Sequence, residues 1–126
     1  MTKRALVLDT GALIALERRK ASIATVYATA VALGISVTVP SVVVAEWWRG
    51  ASNARERILR GFRVEHTDTQ LVKRAGEALA AIRSATTVDA IVMASAARSG
   101  NVVYTSDVHD LEDLRAVFPS VRVLHC

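Results

Sequence analysis

The fold is indicated most clearly by the segment Leu6-Val7-Leu8-Asp9-Thr10-Gly11-Ala12-Leu13-Ile14-Ala15-Leu16. The apolar run over residues 5–8 is typical of a strand that is buried on both faces of a parallel sheet. Residues 10–17 favour a short helix that follows at once. We therefore expect a β-α unit, with Asp9 at the carboxyl end of a buried strand, where ligands of such sheets bind.

The rest of the chain continues this alternation of short apolar runs and longer amphipathic ones. It predicts strands over residues 35–39, 63–66, 102–105 and 121–124. It predicts helices over residues 21–33, 41–49, 53–60, 68–83, 88–98 and 108–117, with Ser41 and Thr87 as N-caps. Strands that alternate with helices indicate an α/β fold with a parallel sheet covered on both faces. The length of 126 residues predicts a single domain spanning 1–126.

Composition narrows the class of protein. The chain is 52% hydrophobic, but its apolar runs are shorter than the ~18–20 residues that a membrane-spanning helix needs. The N-terminal apolar run is too short for a signal peptide and is interrupted by Asp9. We therefore expect a cytoplasmic protein without membrane contact. Cys126 is the single cysteine, so no internal disulfide is possible.

The net charge is +4, and 13 of the 16 basic residues are arginine. The planar guanidinium group suits phosphate, which makes a nucleic-acid partner plausible. A bias of arginine over lysine, with no partner involved, would give the same composition. Charge alone leaves both interpretations open.

Three aspartates stand where parallel strands end or helices begin. Asp9 and Asp107 each follow a predicted strand, and Asp89 lies in the first turn of a predicted helix. Each has a structural alternative, because an aspartate before a helix serves as an N-cap and one in the first turn complements the helix dipole.

Glu46 stands in the middle of the apolar run Val42-Val43-Val44-Ala45-Glu46-Trp47-Trp48, where a lone buried carboxylate would be costly. Its mid-helix position excludes capping. An ion pair with Arg49 would contribute only about 0.2–0.5 kcal/mol. Together, the four carboxylates could converge on one acidic pocket, where mutual repulsion favours binding of protons or a cation.

Such a pocket suits magnesium, which takes oxygen ligands and keeps several waters. A bound ion of this kind polarises phosphate and activates water, which is the chemistry of phosphodiester hydrolysis. Other chemistries have less support. His66, His109 and His125 have no metal-ligand spacing and are expected at the surface. We find neither a glycine-rich phosphate loop nor a nucleophile elbow.

Four segments resemble the PIN domain family. They are residues 6–16 quoted above, Pro40-Ser41-Val42-Val43-Val44-Ala45-Glu46-Trp47-Trp48-Arg49-Gly50, Val88-Asp89-Ala90-Ile91-Val92-Met93-Ala94 and Tyr104-Thr105-Ser106-Asp107-Val108-His109-Asp110-Leu111. Their order and spacing match over essentially the whole chain. The similarity is closest to the VapC-type toxins of VapBC toxin–antitoxin pairs.

The resemblance implies a three-layer α/β/α domain with strand order 3-2-1-4-5. It implies an Mg²⁺-dependent endoribonuclease, with Mn²⁺ as a possible substitute, that forms a homodimer. It also implies inhibition by a VapB-type antitoxin, in a heterotetramer or larger assembly. The acidic residues of the family fall on the catalytic and metal-binding set Asp9, Glu46, Asp89 and Asp107.

The resemblance extends to further positions. Thr10 and Thr105 match places where a small hydroxyl supports the site, and Asp110 matches a variable extra acid that could equally be an ordinary helix N3 residue. Related toxins often have proline at the position of Val108, which should alter only the local turn. Two interpretations fit the basic cluster of Arg55, Arg57, Arg60 and Arg63, namely an RNA path and a solvated basic helix. Either core packing or a partner surface would account for Trp47 and Trp48.

Two other functions compete with the nuclease. A catalytically silent PIN-like module would bind RNA or protein without cutting, but such a module would be expected to have lost at least one of the four carboxylates. A receiver domain is also small, doubly wound and magnesium-binding. The receiver pattern has an acid pair ahead of a phosphorylated aspartate and an essential lysine later in the chain. No lysine follows Lys73 here.

Overall fold

The computed structural model describes residues 4–126. Its strands are β1 (Ala5–Leu8), β2 (Ser36–Pro40), β3 (Arg63–Glu65), β4 (Val102–Thr105) and β5 (Arg122–His125). Its helices are α1 (Thr10–Glu17), α2 (Ala21–Ala32), α3 (Ser41–Trp47), α4 (Asn53–Leu59), α5 (Thr69–Ala81), α6 (Thr87–Arg98) and α7 (Val108–Glu112). The α/β alternation predicted from the sequence is confirmed.

The strands form one parallel sheet in the order β3-β2-β1-β4-β5, as the family resemblance implied. In the register, Val7 pairs with Thr38 of β2 on one side and with Val103 of β4 on the other. The chain moves from β1 outward to β3 and then crosses back to β4. Right-handed crossovers therefore place α1–α4 on one face of the sheet and α5–α7 on the other.

The core fills the space between the sheet and both helical layers. Val7, Leu13, Val39 and Val103 are completely buried, and most apolar residues of α6 are buried as well. Burial on both faces explains why the central strands read as continuous apolar runs rather than as an alternating pattern. The helices within residues 4–126 are all too short or too polar to cross a bilayer.

Two predicted helices end earlier than expected. The helix predicted over residues 41–49 leaves α geometry after Trp47 and continues as a 3₁₀ turn over Trp48–Gly50. The helix predicted over 108–117 divides into α7 and a 3₁₀ turn over Asp113–Ala116. Tighter 3₁₀ turns are common at helix ends, and apolar periodicity does not distinguish them from a further α turn.

Two predicted N-caps are also wrong by one residue. Pro40 occupies the cap position of α3, and the hydroxyl of Ser41 instead hydrogen-bonds Thr67 at 2.9 Å. Thr86, rather than Thr87, caps α6 by accepting from the backbone N–H of Asp89 at 3.2 Å. In both cases two adjacent residues could open the helix, and the chain path selects one of them.

The turn from α6 into β4 requires glycine. Gly100 has φ +87°, and a Cβ atom placed there would lie 1.9 Å from the carbonyl oxygen of Ala5. Backbone therefore passes against backbone at this point, which only glycine permits. This contact sets where β4 begins beside β1, and hence where its carboxyl end lies relative to Asp9.

Candidate active site

The four predicted site residues all line one cavity at the carboxyl edge of the sheet. Asp9 directly follows β1, Asp107 follows the adjacent strand β4, Glu46 lies on α3 after β2, and Asp89 lies at the start of α6. This cavity, hereafter the acidic cavity, has a volume of about 330 Å³. It is lined by Asp9, Thr10, Gly11, Glu46, Thr86, Val88, Asp89, Thr105, Ser106, Asp107 and Asp110.

Asp9 caps α1, so the N-cap role considered for it is correct, although capping does not account for all of its surroundings. Its Oδ1 accepts from the backbone N–H of Ala12 at 2.9 Å. Burial nevertheless raises the pKa of the Asp9 carboxyl above its ordinary value, and the nearby charge of Glu46 adds to this. Hydrogen bonds from Thr105 and Ala12 oppose the shift in pKa without cancelling it. Asp9 is thus held in place by the helix while it lines the cavity.

Glu46 is exposed at the cavity rim and is not buried in the apolar run where it occurs. Helical periodicity turns Val43 and Trp47 into the core and leaves Glu46 on the outer side of α3. Thr10 Oγ1 donates to Glu46 Oε1 at 2.6 Å. The alternative ion pair with Arg49 does not form among residues 4–126. Thr10 therefore fixes the orientation of Glu46, in agreement with the supporting role expected for it.

Asp89 has the most strongly shifted pKa in the acidic cavity. Burial, together with the negative charges of Asp110, Asp9 and Glu46, raises the pKa of its carboxyl to about 6. The hydrogen bond with Thr86 acts in the opposite direction. A half-buried carboxylate without a cationic partner is typical of functional sites rather than of structural ion pairs.

Asp107 and Asp110 enter the cavity from the end of β4 and the first turn of α7. The backbone N–H of Asp107 donates to Thr105 Oγ1 at 3.0 Å, and its side chain makes no capping hydrogen bond. Burial and the neighbouring Asp107 raise the pKa of Asp110. The sequence left open whether Asp110 belongs to the site, and the fold places it in the same cavity.

Gly11 explains the glycine of the Asp9-Thr10-Gly11 motif. A Cβ atom at this position would lie 2.0 Å from Ser106 Oγ and 3.1 Å from Ser106 Cβ. The first turn of α1 therefore packs directly against the end of β4, which keeps Asp9 and Asp107 on a common cavity. The sequence placed Ser106 beside a strand end but assigned it no role, although a glycine close to the end of β1 was a signal of close packing.

The remaining candidates lie outside the acidic cavity. His66, His109 and His125 are all exposed, as expected. Arg55, part of the predicted basic cluster, forms a bidentate ion pair with Glu17 at 2.8 and 2.9 Å. Trp47 is buried and Trp48 is half-buried against the core. Core packing therefore accounts for Trp47 and for most of Trp48.

The chemistry of this donor set fits a hard divalent cation. Its side-chain donors are five carboxylates and four hydroxyl groups, and all of them offer oxygen, which Mg²⁺ and Mn²⁺ prefer. Within residues 4–126, however, no three His, Cys, Asp or Glu side chains approach closely enough to form a complete ligand set. The carboxylates line one cavity without forming a closed cage, so a cation that keeps several waters suits them best.

A family model for the PIN domain matches residues 6–116. The chain belongs to the PIN domain family. This assignment excludes the receiver-domain alternative. No curated protein matches the sequence of this PIN domain protein.

Two solved structures share the fold of this PIN domain. One is VapBC2 from Rickettsia felis bound to a DNA fragment from its promoter, with a TM-score of 0.78 and 12% identity, covering 97% of this chain and 98% of that chain. The other is DNA-bound VapBC from Salmonella typhimurium, with a TM-score of 0.74 and 21% identity, covering 99% of this chain and 98% of that chain. At these identities the similarity establishes a common fold.

Proposed function

We propose that this PIN domain protein is a metal-dependent endoribonuclease and the toxin of a type II toxin–antitoxin pair. The observation that carries the proposal is the acidic cavity, in which carboxylates from four separate elements meet without a lysine or arginine among the lining residues. A fold gains nothing in stability from such an arrangement, because burial and like charge raise the pKa of Asp9 and Asp89.

A divalent cation would relieve this repulsion. Asp9, Glu46, Asp89 and Asp107 are the residues proposed to hold Mg²⁺, with Mn²⁺ as a substitute. When bound, such an ion supplies positive charge for the phosphate and lowers the pKa of a coordinated water. Carboxylate ligands also explain why no basic side chain needs to line the cavity.

The chain's own residues orient this ligand set. The backbone N–H of Ala12 fixes Asp9, and the hydroxyl of Thr10 fixes Glu46. The buried Thr105 fixes the backbone of Asp107 through its hydroxyl oxygen. Asp110, which is exposed and lines the same cavity, is proposed to accept a proton from the attacking water. The carboxylates of Asp9 and Glu46 are thus oriented before the substrate arrives, which limits reorganisation during the reaction.

RNA is the proposed substrate, and the net charge of +4 supports it because phosphate backbones attract basic proteins. The structural neighbours are VapBC complexes. By analogy we propose a VapB-type antitoxin as partner, a homodimer as the basic unit, and a heterotetramer or larger assembly with the antitoxin. The cytoplasmic location inferred from the sequence belongs to the same proposal.

The test is cleavage of a mixed tRNA and rRNA pool by antitoxin-free protein. The pool is incubated with Mg²⁺, with Mn²⁺ and with EDTA, and the Asp9→Asn variant is compared with Asp113→Asn as a matched control. Asp113 is an exposed aspartate outside the acidic cavity. We expect metal-dependent cuts that disappear with Asp9→Asn and remain with Asp113→Asn.

The alternative function gives a different result. A catalytically silent PIN module would bind the RNA pool while cutting nothing with either metal. Circular dichroism of both variants separates loss of chemistry from loss of folding. Cuts that persist in EDTA, or that survive Asp9→Asn in folded protein, would contradict the proposed site.

A further inference from the structure

Two further cavities adjoin the acidic cavity, and each shares lining residues with it near the start of α1. The first, hereafter the Arg49 pocket, has a volume of about 470 Å³ and is lined by Thr10, Ile14, Glu46, Trp47, Arg49, Gly50 and Arg55. The second, hereafter the Arg18 pocket, has a volume of about 440 Å³ and is lined by Gly11, Ile14, Ala15, Arg18, Lys20 and Ser106.

The three cavities form a continuous surface. Thr10 and Glu46 line both the acidic cavity and the Arg49 pocket, while Gly11 and Ser106 line both the acidic cavity and the Arg18 pocket. The two basic pockets also share Ile14. Thr10, Ile14 and Arg18 are four residues apart, so they follow one stripe along α1. Arg18 lies about 12 Å along the helix axis from Thr10, at 1.5 Å per residue.

The arginines in these pockets differ in their availability. Arg18 and Arg49 are exposed, and neither forms a salt bridge with any residue of the range 4–126. Arg55, by contrast, is occupied by Glu17 and by the backbone oxygen of Trp47. Lys20 donates to the backbone oxygen of Cys126 at 2.8 Å. Arg18 and Arg49 are therefore the guanidinium groups in these pockets that remain available for a ligand.

We propose that Arg18 and Arg49 bind the phosphates of a single RNA strand on opposite sides of the bond presented to the acidic cavity. This inference rests on the proposed function and assigns the path of its substrate. The strand would run from the Arg49 pocket across the acidic cavity to the Arg18 pocket. Ile14, half-buried between the two pockets, offers an apolar surface to a sugar or base.

Electrostatics favours this path over one along α4. A polyanion that approaches five carboxylates is repelled, and a cation in the cavity offsets the charge only locally. Free guanidinium groups immediately beside the carboxylates compensate the neighbouring phosphates, for which the planar guanidinium fork is well suited. The predicted basic cluster on α4 loses Arg55 to its ion pair, and its other arginines do not line these pockets.

The test is the salt dependence of RNA binding, measured in EDTA so that no cleavage occurs. Fluorescence anisotropy of a short fluorescein-labelled single-stranded RNA of mixed sequence is followed from about 50 to 200 mM salt. The variants are Arg18→Gln, Arg49→Gln and the double variant. Arg83→Gln is the charge-matched control, because Arg83 is exposed and lines none of the three cavities.

We expect each single variant to reduce the slope of log K against log salt by about 0.7, and the double variant by about 1.4. Arg83→Gln should leave the slope unchanged. Arg18→Lys and Arg49→Lys should restore most of the slope, since a phosphate contact needs the charge. In the cleavage assay, the Gln variants should raise KM with little change in kcat.

The outcomes separate this inference from the proposed function. Altered slopes in a protein that cuts no RNA would support the strand path and overturn only the nuclease proposal. Cleavage by the wild type, with slopes for Arg18→Gln and Arg49→Gln equal to that for Arg83→Gln, would overturn the strand path alone. A wild type that binds no RNA at low salt would overturn the inference as well.

Discussion

The acidic cavity and the Arg98 network, formed by Glu65, Asp68, Ser95 and Arg98, both gather carboxylates but treat their charges differently. In the network, Arg98 donates to Asp68 at 2.5 Å and to Glu65 at 2.7 Å, and Ser95 donates to Glu65 at 2.9 Å. A backbone hydrogen bond from Leu71, assisted by Arg98, lowers the pKa of Asp68. In the acidic cavity, the pKa of Asp89 instead rises to about 6.

The two regions differ in whether their carboxylates are paired with a cation. Carboxylates paired with Arg98 connect β3, α5 and α6, and the lowered pKa of Asp68 favours its ionised form. Carboxylates of the acidic cavity are oriented by hydroxyl and N–H groups but lack a counter-ion, in a chain that has 13 arginines to offer. The proposed metal ion would compensate these charges, so substitutions in the two regions should have opposite consequences.

The largest effect should come from neutralising one carboxylate in each region. We expect Asp107→Asn to lower kcat/KM for RNA cleavage by about 100-fold or more, because a metal ligand is lost. Asp68→Asn keeps an N-cap side chain at the start of α5 and should leave the rate per folded molecule within about twofold. Cleavage at saturating Mg²⁺, with equal amounts of folded protein, measures both. Equal losses in the two variants would remove the distinction between the regions.

The second largest effect should appear in stability when the network loses its cation. Arg98→Gln leaves Glu65, a half-buried carboxylate, with Ser95 as its remaining hydrogen-bond donor. We expect the free energy of unfolding to fall by about 1–3 kcal/mol, while kcat/KM stays near the wild-type value. Urea unfolding followed by tryptophan fluorescence measures the change, with Arg83→Gln as control. A loss no larger than the control's would show that the network is only a surface feature.

Much of this architecture could be predicted from the sequence because it depends on local pattern and topology. Apolar runs fix the strands, and a parallel sheet brings their carboxyl ends to one edge, which is why Asp9 and Asp107 could be placed together. Glu46 was identified because a buried carboxylate in its apolar segment would be costly, and this reason was wrong. Its helix carries it out of the core, so the carboxylate was never buried.

The parts that could not be predicted depend on contacts between distant residues. Arg55 and Glu17 are 38 positions apart, and nothing in either segment indicates that they pair. Ser106 became part of the site only through its packing against Gly11. Asp110 was left open because a first-turn acid has a sufficient local explanation. Side-chain partners of this kind follow from the assembled fold and not from periodicity.

The smallest effect is the pH dependence of stability, which should differ in sign between the acidic cavity and the Arg98 network. The pKa of the Asp89 carboxyl is raised to about 6 in the folded protein. Asp89 therefore keeps its proton at pH values where the unfolded chain has released it. The contribution of this group to stability therefore falls as pH rises from about 4 to about 6, and the penalty is complete at pH 7. Since Asp89 is only half-buried, solvent screening reduces that penalty to about 1 kcal/mol.

We therefore expect Asp89→Asn to be more stable than the wild type at pH 7.5 in EDTA by about 1 kcal/mol. At about pH 4 the difference should vanish, because the wild-type carboxyl is then protonated as well. Urea unfolding at both pH values measures this, and Asp68→Asn should show the opposite sign, since its pKa is lowered in the fold. Added Mg²⁺ should stabilise the wild type at pH 7.5 and reverse the order, because the ion binds only where the carboxylate remains. An Asp89→Asn variant that is less stable than the wild type in EDTA would mean that this acid supports the fold, and the acidic cavity would then resemble the Arg98 network.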